Sequence, residues 1–112
     1  MSAVLTPTLL DPIAETFELT ETELGRLFGV SRQAVGQWRE RGVPSNRMAK
    51  VTTVAAIGDL LGRQLKPERI PGVARRPADA YRGLSMLEMI EHGREDELLT
   101  LVRRSFDWAS TI

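Results

Sequence analysis

Apolar residues recur at helical spacing along this chain, and the stop signals between them divide it into about six helices with no convincing strand. Asp11 followed by Pro12 reads as a cap with proline at the first helical position, predicting a short helix through about Phe17. Thr20 and Glu23 form a capping box that starts a second helix at Glu21, with Leu24, Leu27 and Phe28 on its buried face. Gly29 permits the left-handed stop, Ser31 caps the next helix, and Gly42 ends that helix after Arg41. Trp38 lies at helical spacing from Ala34 and Val35 and is placed in the core with its indole N–H at the surface.

Further along, Met48, Val51, Val54, Ala55, Ile57, Leu60, Leu61 and Leu65 cover more than one face of a helix from Asn46 to about Leu65. Such a helix is expected to be a central beam covered on two sides. Prolines at 67, 71 and 77 rule out continuous helix, so Lys66 to Pro77 is expected to be the main loop. Ser85 and Glu88 repeat the capping box and open a helix that stops at His92 and Gly93. The final helix, from about Arg94 to Trp108, has Glu95, Asp96 and Glu97 at its start and Arg103 and Arg104 near its end, the order favoured by the helix dipole. The predicted class is all-α.

Composition narrows the picture. With 42% hydrophobic and 27% charged residues, the chain is too apolar to be disordered, and its 112 residues suit one cooperative body. No apolar run approaches the roughly 20 residues that span a bilayer, and the start lacks a secretory pattern, so no membrane partner and a cytoplasmic location are expected. The absence of cysteine excludes disulfides and thiol metal sites, and the single histidine, His92, argues against a metal centre. A net charge of zero conceals a polarised chain. Arg32, Arg39, Arg41, Arg47 and Lys50 face the single acid Glu40 between Ser31 and Lys50, whereas Asp11, Glu15, Glu18, Glu21 and Glu23 face only Arg26 before Ser31. A positive surface beside a negative one favours directed docking on phosphate.

The segment LTETELGRLFGVSRQAVGQWRERG, Leu19 to Gly42, has two short capped helices about a turn containing Gly29. Leu24, Leu27, Val30 and Val35 are spaced to form a small core between them, leaving Arg32, Gln33, Gly36, Gln37 and Arg41 to project outward. The segment resembles helix-turn-helix DNA-binding proteins, which implies that the second helix enters the major groove of double-stranded DNA. Arg pairs with guanine and Gln with adenine, while a hydroxyl such as that of Ser31 near the helix start can hold phosphate. Arg47, in the same basic stretch, joins this set. Gly36 costs a helix interior about 1 kcal/mol, and close approach to another backbone or to DNA would explain it. Dimerisation is expected because one such unit buries too little surface for tight specific binding.

The segment RRPADAYRGLSMLEMIEHGR, Arg75 to Arg94, reads by itself only as a small helical lobe of turns and a capped helix. Its order of Pro77, Gly83, Ser85, Leu87, Glu88, Ile90 and Gly93 resembles the C-terminal domain of the Xre/MbcA/ParS class of antitoxins, partners of RES-domain toxins. The resemblance implies a helix-turn-helix lobe over residues 1–45, a central helix over 46–65, and a toxin-binding and dimerisation lobe over 66–112. It further implies repression of the shared operon, direct binding to a toxin that degrades NAD, and no cofactor in the antitoxin itself. Family members use the last helix and tail against the toxin, which maps to Phe106, Trp108 and Ile112. Phe106 and Trp108 read equally well as core residues of that helix. Here Trp108, Ala109, Ser110 and Thr111 stand where the family commonly places glycine.

Enzyme readings lack support, since Glu91, His92 and Glu95 straddle a helix stop with no nucleophile pattern, metal spacing or glycine-rich phosphate loop beside them. Met86 and Met89 are read as core filling. Two alternatives stand beside the antitoxin: a stand-alone transcriptional regulator, chromosomal or phage-borne, whose second lobe dimerises, and an interaction protein whose helix-turn-helix serves as scaffold.

Overall fold

The computed structural model describes residues 9–111, with side-chain surroundings for 9–106. Its first helix, α1 (Leu10–Phe17), buries Leu10, Ile13 and Phe17, one stripe of a helical surface. This corrects the expected cap. The helix starts before Asp11, its cap residue Leu9 makes no side-chain hydrogen bond, and the Asp11 carboxylate reaches Arg39 instead. Pro12 is tolerated there because N–H groups of the first turn have no intrahelical acceptor.

Two helices follow with the predicted caps. In α2 (Glu21–Phe28), Thr20 Oγ1 accepts from the Glu23 N–H at 3.1 Å, and Glu23 Oε1 accepts from the Thr20 N–H at 2.9 Å. Gly29 ends it at a φ of 69°, a left-handed conformation that costs glycine nothing. The hydroxyl of Ser31 accepts from the Ala34 N–H at 3.1 Å and starts α3 (Arg32–Arg41), which stops at Gly42. The 20-residue α4 (Ser45–Gln64) begins directly after Pro44 and extends about 30 Å. It packs against α1 and, through another side, against the last helix, as an all-round apolar pattern requires.

The expectation of a loop from Lys66 to Pro77 is corrected. A 3-10 turn (Pro67–Arg69) leads into α5 (Ile70–Arg75), with Pro67 and Pro71 each in the opening turn of its element. Proline is excluded from a helix interior but is preorganised for a helix start, so these prolines divide the segment into short helical pieces without abolishing them. Arg75 fastens α5 to the end of α1, donating to the carbonyls of Phe17 at 2.8 Å and Glu18 at 2.9 Å. A second 3-10 turn (Asp79–Tyr81) precedes α6 (Met86–Glu91), whose capping box joins Ser85 and Glu88 as read from the sequence. The chain closes with α7 (Glu95–Thr111), so the helices number seven among the described residues, with no strand.

One apolar cluster connects these elements. It joins Phe17, Leu24 and Phe28 with Ile57, Leu61, Ile70, Met89, Ile90 and Leu98, all essentially inaccessible to water. The contacts between α2 and α6 and between α1 and α5 carry that cluster from the first half of the chain into the second.

Candidate nucleic-acid interface

The angle between α2 and α3 is set at a glycine not singled out from the sequence. A Cβ built on Gly25 would lie 2.6 Å from the carbonyl oxygen of Val30, so any side chain there would push the turn away from the helix. The Val30 N–H also bonds back to the Gly25 carbonyl at 2.8 Å, closing the end of α2. The available sequence signal was a costly glycine inside α2, four residues before the stop at Gly29. Behind this turn, Arg47 of α4 donates from Nη1 to the Phe28 carbonyl at 2.6 Å.

The inner side of α3 is formed by Val35 and Trp38, both buried, with the Trp38 and Phe28 rings 6.0 Å apart. Trp38 is therefore in the core, as its spacing predicted. The outer side carries Arg32, Gln33, Gly36, Gln37, Glu40 and Arg41, all exposed, and exposed Ser31 caps its start. No atom lies within 4 Å of a Cβ built on Gly36, so packing inside this chain gives no reason for a glycine there. Glu40 shares the exposed stripe with Gln33, Gly36 and Gln37, which brings an acid among the amides.

Charge is distributed less generously than the sequence suggests. Arg39 bridges back to α1 and α2, with Nε donating to Glu21 Oε2 at 2.8 Å and Nη1 donating to Asp11. Burial alone would lower the Arg39 pKa, but the bonds to Glu21 and Asp11 outweigh it and raise the value above the ordinary one. Lys50 faces Glu95 at 3.8 Å, a charge contact too long for a hydrogen bond. Of the five bases between Ser31 and Lys50, Arg32 and Arg41 stand outward while Arg39, Arg47 and Lys50 engage the chain itself. The acids Asp11 and Glu21, counted above as part of a negative surface, are the partners of Arg39.

At the other end of the chain, half-buried Phe106 packs against the core. The side chains of Trp108 and Ile112 lie outside the described residues. Met86 and Met89 are buried as core filling, and His92 is exposed at the end of α6. Among the described residues no group of three or more histidine, cysteine or acidic side chains could hold a metal ion, and no helix is long and apolar enough to cross a membrane.

Neither a scan of protein-family models nor a search of curated proteins gives a match. Among solved structures, a chain from the crystal structure of the M. tuberculosis MbcT–MbcA toxin–antitoxin complex superposes with a TM-score of 0.72. The fold is shared with a component of that complex. The alignment covers 88% of this chain and 91% of that one at 17% sequence identity, so architecture is common where side chains are mostly not. It agrees with the MbcA-type resemblance read from Arg75 to Arg94.

Proposed function

We propose that this chain is a DNA-binding antitoxin that represses its own operon and neutralises a RES-type, NAD-degrading toxin by direct binding. The observation that carries the DNA half is the outer side of α3: Arg32, Gln33, Gln37 and Arg41 exposed around a glycine with open space before it. Two amides and two guanidiniums at a helix surface match the donors and acceptors of adenine and guanine edges. Ser31 at the helix start and Arg47 behind the turn complete the proposed set, Arg47 acting mainly by holding the turn. Architecture shared with a toxin–antitoxin complex supports the other half. Binding rather than catalysis is the mode of action, and no cofactor is required.

With so few outward cations, two copies are needed to make a stable complex with DNA, so the protein acts as a homodimer on paired half-sites. Two measurements test the reading. Copurification from the native host followed by mass spectrometry is expected to recover a toxin, and the promoter upstream of both genes is expected to be retained by the purified protein in a salt-dependent manner. Promoter retention without a toxin would favour the stand-alone regulator, and neither result would leave the reading without support.

A further inference from the structure

We propose that Glu40 is a specificity-determining residue of α3, accepting a hydrogen bond from the exocyclic amine of a cytosine in the major groove. The inference rests on the reading of α3 as the DNA-facing helix and deepens it. Gln33, Gly36, Gln37 and Glu40 stand at positions i, i+3, i+4 and i+7 of α3, and all four are exposed. At about 3.6 residues per turn, Glu40 returns to within about 20° of Gln33 on the helix surface, two turns further along. A helix lying in the major groove can read bases from a set with this spacing. Gly36, one turn before Glu40, has no atom within 4 Å of a Cβ built on it, so the backbone is free to approach the groove and bring Glu40 within reach of a base.

Nothing in the fold calls for an acid at this position. Glu40 makes no ion pair or hydrogen bond among the described residues, and the residues three and four positions away, Gly36, Gln37, Val43 and Pro44, include no cation. It lies in the last turn of α3, at the negative end of the helix dipole, where a carboxylate is disfavoured. DNA phosphates repel it as well, so it lowers general affinity for a duplex. Base selection is the role in which such a charge is useful. In the major groove cytosine presents a lone donor, its N4 amine, whereas guanine presents N7 and O6 acceptors, thymine an O4 acceptor, and adenine an N7 acceptor beside its amine. An ionised carboxylate carries acceptors alone, so it fits cytosine and meets a repelling lone pair on each of the others. Gln33 and Gln37, each with a donor and an acceptor, match adenine instead, and the stripe thereby distinguishes two kinds of base pair.

Selection of bound duplexes from a DNA library of random sequence, followed by titration of the selected duplex, tests the assignment on the full chain and on Glu40→Ala and Glu40→Gln. The native chain is expected to select a G·C pair at one position of its site, separate from the positions that Gln33→Ala and Gln37→Ala relax. Glu40→Ala should lower the preference for that pair about tenfold, while binding random duplexes more tightly because a repelling charge is gone. Glu40→Gln should move the preference at the same position towards A·T, since an amide offers adenine both a donor and an acceptor. A glutamate that is only solvated, or that only supports the helix, would not alter base preference. Tighter binding of every duplex by both variants, with base preferences unchanged, overturns the inference and leaves the reading of α3 intact, as does loss of a preference for an A·T pair in Glu40→Ala. Failure of the native chain to retain any duplex overturns both. Should Glu40→Ala change helicity by circular dichroism, Glu40→Gln, which keeps the side-chain size, carries the test.

Discussion

The guanidinium of Arg47 meets the carbonyl of Phe28 at 2.6 Å, so the opening turn of α4 holds the last turn of α2. That carbonyl is among those at a helix C-terminus with no intrahelical donor, and it carries part of the negative end of the dipole. A cation aimed at it therefore fixes where α2 ends and where the turn into α3 begins. Replacing Arg47 with Ala should lower unfolding stability by about 1–2 kcal/mol, below the upper range for charged hydrogen bonds because the side chain is partly solvated. Urea denaturation followed by circular dichroism measures it.

Gly25 and Gly36 should respond oppositely to the same change. Gly25→Ala drives a methyl into the Val30 carbonyl, and the backbone shift required should destabilise the protein by about 1–3 kcal/mol. Gly36→Ala meets nothing within the chain and should stabilise α3 by about 0.5–1 kcal/mol. If DNA approaches the helix closely at this position, the more stable variant will bind the operator more weakly. Thermal melts paired with operator titrations would show the two properties separating.

The salt dependence of operator binding distinguishes cations facing DNA from cations facing the protein. Arg41→Ala should reduce the slope of log K against log salt by about 0.9. Arg39→Met should leave that slope nearly unchanged, since Glu21 and Asp11 already neutralise the charge. It should cost no more than about 1 kcal/mol of stability, given how solvated those carboxylates are. A slope change for Arg39→Met equal to that for Arg41→Ala would place Arg39 on phosphate.

On the proposed reading, base readout falls to Arg32, Gln33 and Gln37. Substituting Ala at each should weaken binding to the cognate site by about 1–3 kcal/mol with folding intact. Competition with single-base operator variants checks it, because loss of a base contact also relaxes specificity at one position.

The Thr20–Glu23 capping box has a pH signature. The backbone N–H of Thr20, bonded to the carboxylate, holds the Glu23 pKa below its ordinary value despite some opposing desolvation. A carboxyl with a depressed folded-state pKa contributes stability above its unfolded pKa and loses it as pH falls through the folded one. The stability advantage of the native chain over Glu23→Gln should thus be full near neutrality and shrink as the solution is acidified below about pH 4. Urea midpoints of both proteins across that range provide the measurement.

Punctuation was the most legible part of the sequence. The capping boxes at Thr20 and Ser85 and the stop at Gly29 are local hydrogen-bond or dihedral requirements, and the structure forms each of them. Long-range pairing was not legible. Asp11 looked like a cap because its best partner, Arg39, is 28 positions away, and Arg39 looked like part of a basic face for the same reason. Prolines 67 and 71 were read as helix breakers when each stands in an opening turn, a distinction that depends on where neighbouring helices allow a new one to begin. The outward set on α3 followed from periodicity, but the requirement for glycine at position 25 arises only from the Val30 carbonyl that the fold brings against it.

The apolar cluster that runs from Phe17 and Leu24 through Ile57 to Met89 and Leu98 also bears on turnover. A protease that acts on transiently opened chains samples the population in which packing is lost, and here the two ends share the packing. Global opening exposes both ends together, so on the proposed reading the half-life of the DNA-facing surface and that of the surface offered to a protein partner are tied to a single unfolding equilibrium. A cell that accelerates degradation of this chain would withdraw both together, with no stage at which a clipped remnant keeps one and has lost the other.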